Sequence, residues 1–159
     1  MPKTSPLRLT VTRAMLAFGL AIPALACPRP GTDDARRVET PARDGVLVHV
    51  SVGPDAPHRA LMALSMARTM SKDHDVAMYF DVEAIGLVLA DAPDVTHDTF
   101  ESSHAQIEAL LAEKVQLYAC PGCLKAAGKT EADLRKGVAI ASPEALFDFT
   151  SGRILTLDY

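Results

Sequence analysis

The sequence has no tryptophan, and only 5% of its 159 residues are aromatic. A core must therefore come mainly from Ala, Val, Leu, Ile and Met. That supply suits helices packed on a buried sheet better than an aromatic-rich β-sandwich. Charge of one sign is never concentrated: 16 basic and 20 acidic residues are mixed along the chain, for a net charge of −4. No basic stripe exists to track a nucleic-acid backbone, so no nucleic-acid partner is expected. Gly45, Gly53 and Gly86 build neither G-x-G-x-x-G nor a P-loop, so no nucleotide cofactor, or any other cofactor, is expected. Cysteine is scarce, at three residues. A metal site on Cys120 and Cys123 would need about two more ligands, and no second C-x-x-C or nearby H-x-x-H supplies them. His97 and His104 become available to such a site only through folding. A chain of this length still buries roughly 68–70% of its unfolded surface, so it needs no staples.

The first 26 residues have a different character from the rest. Lys3, Arg8 and Arg13 are basic, and no acid precedes Asp33. Ala14 to Leu25 is apolar apart from Gly19 and Pro23, and Ala24-Leu25-Ala26 is an A-x-A exit. The pattern predicts a secretory signal peptide over 1–26. The apolar run falls short of the roughly 20 residues of a membrane span. Ala24-Leu25-Ala26-Cys27 also fits a lipobox with Ala in place of the usual Leu, which makes Cys27 a lipidation candidate; ordinary cleavage after Ala26 fits equally. The domain is expected outside the cytoplasm, periplasmic or anchored as a lipoprotein, and at a membrane only if Cys27 is lipidated. Residues 27–43 read as a polar, Pro-containing linker, leaving 44–159 as the domain.

Within that domain strands and helices alternate. Gly45 to Val52 is a continuous apolar run, as in parallel strands buried on both faces. Gly53-Pro54-Asp55-Ala56-Pro57 breaks it, and a helix is predicted over 58–70. Further strands are predicted at 75–80, 115–118, 138–140 and 153–157. Helices are predicted at 84–89, 102–112, after the cysteines to Gly128, from Thr130, and from Ser142 to Phe149. The loop 92–99 is a candidate lid or rim. Five strands separated by helices predict a three-layer α/β/α fold with a five-stranded, mainly parallel sheet.

Cys120-Pro121-Gly122-Cys123 carries the strongest chemical signal. In open α/β sheets working residues gather beyond the carboxyl ends of strands, and Cys120 follows the strand ending at Tyr118. A thiol there, at a helix start, is biased toward the reactive thiolate. Cys120 is thus the candidate nucleophile and Cys123 its resolving partner. Sulfur carriage needs one cysteine and dithiol redox needs both; a closed disulfide in a non-catalytic binding or assembly module, or a metal site, are the alternatives. His58 opens the first helix at the same sheet edge, with Asp81 and Glu83 beside it; all three are pocket candidates, or else serve helix starts. His49 lies mid-strand and reads as a hydrogen-bonded interior residue. Met62, Met66 and Met70 sit at helical spacing and read as packing.

Two stretches resemble the DsrE/DsrF-like family. Val48-His49-Val50-Ser51-Val52-Gly53-Pro54, continuing through the Ala/Met-rich stretch to Ala67, is similar to that family's opening strand, Gly-Pro loop and first helix. Val115 to Cys120 followed by Leu124 to Gly128 is similar to its strand-borne cysteine with a glycine eight positions on. With the acidic helix and the Val138 strand, the resemblance covers about residues 44–157. It implies a five-stranded parallel sheet between helices and homo-oligomers, trimers or hexamers. It also implies that Cys120 accepts and passes on sulfane sulfur as a persulfide, with a donor or acceptor protein or a small thiol as partner. The activity implied is sulfur transfer or carriage, with thiol–disulfide redox beside it. Cys123 and the export signal depart from the cytoplasmic sulfur relays and place the chain with a C-x-x-C subset.

Overall fold

The computed structural model describes residues 42–159; the expected signal peptide, Cys27 and the linker up to residue 41 lie outside them. Strand β1 (Gly45–Val50) leads into helix α1 (Pro57–Met70) and strand β2 (Asp75–Phe80). A 3-10 turn (Val82–Ala84) and the short α2 (Ile85–Val88) follow, then α3 (Ser103–Ala112), β3 (Gln116–Ala119) and α4 (Pro121–Ala126). A second 3-10 turn (Glu131–Asp133), β4 (Val138–Ile140), α5 (Ala145–Asp148) and β5 (Ile154–Asp158) complete the order. The sheet runs β4-β3-β2-β1-β5, and every pairing is parallel. The expected five-stranded parallel α/β architecture is the one observed. Among the described residues no helix is long and apolar enough to cross a membrane.

The two faces of the sheet are unequal. Val46, Val48 and Val50 of β1, Val76, Met78 and Phe80 of β2, and Leu117 and Ala119 of β3 point to one side and are almost fully buried. Leu61 and Leu64 of α1 and Ile107 and Leu110 of α3 meet them there. On the opposite side Leu47 and His49 are only half-buried, so β1 is not enclosed on both faces as its apolar run predicts. The reason is α5, which forms a single turn where a helix from Ser142 to Phe149 was expected. An open apolar groove of about 690 Å³ lies on that side, lined by Leu47, Tyr79, Pro121, Phe147 and Thr156 among others.

The helix expected from Thr130 is a single 3-10 turn closed by a capping box between Thr130 and Asp133. Gly128 has the positive φ, 69°, that terminates α4. Its N–H donates to the Lys125 carbonyl and that of Lys129 to Leu124, a Schellman closure. Loop 92–99 is stapled rather than free. Ser103 Oγ accepts from the Val95 N–H, Asp94 accepts from the His104 N–H, and the His104 ring bonds the Ala92 carbonyl.

Candidate thiol site

Cys120 stands at the N-cap of α4, where β3 leaves the sheet. Its N–H donates to the Phe80 carbonyl at 2.8 Å, which extends the β2–β3 ladder by one bond and fixes the sulfur's starting point. Pro121 is suited to the first helical position because its missing N–H would have no partner there. The chain then turns so that the Cys123 N–H donates to Cys120 Sγ at 3.4 Å. Both cysteines are half-buried free thiols in this structure.

Burial opposes ionisation of Cys120. The nearby Tyr79 hydroxyl, the Cys123 N–H that donates to Sγ at 3.4 Å, and the Cys123 thiol and Gly122 N–H outweigh it and hold the thiol below its ordinary value. Because α4 is so short, these local donors rather than an extended helix dipole stabilise the thiolate. Tyr79 is pushed far above the usual phenol range, by burial first and then by Cys120, so it remains a donor. Cys123 behaves in the opposite way. The Val82 N–H favours its thiolate, but the Cys120 sulfur, burial and the Asp81 charge together raise it. Cys120 is thus biased toward the thiolate and Cys123 toward the thiol.

Val82 is in the left-handed region at φ 45°, a strained conformation for a β-branched residue, and is 55% exposed. Its neighbours hold it there. The Asp81 N–H donates to Val50, the Ala84 N–H donates to Asp81, and Gly53 is packed against Glu83 so closely that a Cβ would fall 2.6 Å from its carbonyl oxygen.

Asp81 joins a second cluster. His49 Nδ1 bonds Asp158 Oδ1 at 2.8 Å, and His49 Nε2 lies 3.0 Å from Asp81 Oδ2 in a bent ion pair. With a carboxylate near each ring nitrogen, the imidazolium is the form their charges favour. Burial would lower its pKa, but Asp158 and Asp81 prevail and raise it. The Tyr79 ring lies 5.7 Å from the His49 ring, which links this cluster to the thiols.

The site residues expected from the sequence therefore divide. Cys120, Cys123 and Asp81 come together. Glu83 is in the 3-10 turn with its side chain exposed. His58 is exposed, stacked on His97 at 5.1 Å and against Phe100, and is not among the groups acting on Cys120. Tyr79 and His49 are functional candidates that sequence reasoning missed or took for interior. Period-two alternation along β1 and β2 places both on the open face, at paired register positions.

Fold and site together define a parallel α/β protein with a strand-end dithiol. The model of the DsrE/DsrF-like family matches residues 44–155, and the chain belongs to that family. It is similar in structure to the YchN protein from E. coli, with a TM-score of 0.51 and 19% identity, over 72% of this chain and 99% of that one. It is also similar to MTH1491 from Methanobacterium thermoautotrophicum, a protein of unknown function, with a TM-score of 0.53 and 16% identity over the same shares. No curated protein matches the chain. Family membership points to a sulfur-relay type of role.

Proposed function

We propose that this protein is an exported sulfur carrier that holds a persulfide on Cys120. The observation that supports this reading best is the position of Cys120 Sγ at a strand end, accepting the Cys123 N–H at the start of α4, because a thiolate there is the nucleophile the chemistry requires. The thiolate attacks the outer sulfur of a donor persulfide, R–S–SH. A bond forms between Sγ and that sulfur, the donor S–S bond breaks, and the donor leaves as a thiolate. An acceptor thiol then removes the outer sulfur, or Cys123 displaces it. The basic, apolar and small-residue order of residues 1–26 supports export.

The test is intact-mass measurement of the reduced protein after exposure to a small-molecule persulfide donor. Wild type should gain the mass of one sulfur atom, Cys123→Ser should gain it too, and Cys120→Ser should not. A wild-type protein that gains nothing while Cys120 resists alkylation would favour a non-catalytic binding or assembly module.

A further inference from the structure

A sulfur donor must place the rest of its molecule somewhere, and the sheet beside Cys120 supplies a surface. Leu117 and Ala119 of β3 face the core. Alternation therefore turns Cys120, whose backbone is still extended, toward the opposite, open side. Two neighbours of the thiol line the apolar groove on that side. Pro121 follows it in the chain, and the Ala141 N–H donates to the Ala119 carbonyl just before it. The groove thus starts at the reactive corner.

Its shape comes from the connection between β4 and β5. These strands are the two edges of the sheet, so the chain joining them crosses β3, β2 and β1. Phe149 and Thr150 pack on Gly45 along the way, and the single turn of α5 is too short to fill the space. What remains is a gap of about 690 Å³, with Leu47 and Thr156 on its floor and Phe147 on its wall. Small-molecule sites span roughly 300–1,000 Å³. Among the described residues, none of those lining the gap is charged. The charged groups near Tyr79 are His49, Asp81 and Asp158, two carboxylates against one imidazole that bridges them. An anionic donor finds no counter-charge here, whereas an uncharged apolar one finds its complement. Phe147, 70% exposed, has ring surface to bury against such a group.

We propose that this groove holds the uncharged alkyl or aryl group of a small-molecule persulfide and presents its outer sulfur to Cys120. The inference rests on the sulfur-carrier reading and names the class of its donor. In R–S–SH the outer sulfur keeps its proton while the Cys120 thiolate attacks it. The new S–S bond forms as the donor S–S bond breaks, and R–S⁻ leaves with the electron pair. The sulfane sulfur changes carrier without changing oxidation state, so no further oxidant or reductant enters.

The test offers benzyl persulfide and glutathione persulfide, which carries carboxylates, to the reduced protein and follows loading by intact mass. The ratio of the two rates is divided by the same ratio for free N-acetylcysteine, so that differences in thiol and donor reactivity cancel. Wild type should prefer the benzyl donor by about tenfold or more, the order of selectivity that an apolar pocket provides. Phe147→Ser and Thr156→Glu, both at exposed positions, should bring the preference down toward that of the free thiol. Equal scaled rates in wild type, or a preference that both variants keep, overturn the inference alone. An oligomer that dissociates in Phe147→Ser and shows no donor preference as wild type assigns the groove to a second copy instead. Failure of wild type to load from either donor overturns the sulfur-carrier reading beneath it.

Discussion

The Tyr79 hydroxyl is the foremost of the groups that hold the Cys120 thiol below its ordinary value. Tyr79→Phe keeps the ring against His49 and removes only the donor. Iodoacetamide modification of Cys120 near neutral pH should therefore slow about tenfold, as the thiolate fraction falls. The pH profile of alkylation should move toward that of an ordinary cysteine. An unchanged rate would mean that the N–H groups of Gly122 and Cys123 suffice. The sequence made Cys120 legible because C-x-x-C at a strand end carries its chemistry in its spacing. Tyr79 and His49 could not be read the same way, since their partners lie on other strands and only the register brings them together.

At the scale of elements, the segment from Asp81 to Ala84 is shaped by the loop beneath it. Gly53 is buried against the Glu83 backbone, and a methyl group there would meet the carbonyl oxygen at 2.6 Å. Gly53→Ala should cost about 1–3 kcal/mol, measurable by urea denaturation, and should disturb the strained turn at Val82. A full-stability variant would show that the loop yields easily. The Gly-Pro break was visible in sequence as the end of β1, while its packing against a turn some thirty positions on was not. Helices with a full apolar stripe, α1 and α3, were legible for the same reason that they are stable: their periodicity is what the core uses. The segments after Thr130 and Ser142 carry good start signals but too little apolar surface to extend past one turn.

At the scale of the molecule, the pair of His49 and Asp158 ties the first strand to the last one. His49 has a raised pKa in the folded protein, so its contribution is complete below the unfolded value of about 6.5 and is lost as pH rises through the folded value. Urea stability of wild type should exceed that of His49→Gln in mildly acidic solution, and the gap should close on the alkaline side. A gap independent of pH would show that the ring serves packing rather than charge.

The β1–β5 ladder joins Gly45 to Ile154 and His49 to Asp158, pairs 109 positions apart. Contacts so distant in sequence form late, because the intervening chain must first be ordered. The donors that sharpen Cys120 come from β2 and α4 and depend on much shorter closures. During folding, the nucleophile should therefore ripen before the His49–Asp158 pair closes. In rapid-mixing refolding, alkylation of Cys120 should reach its native rate before the His49–Asp158 pair reports closure. The interval between them is the time in which a half-assembled chain carries a reactive sulfur before its last strand has docked.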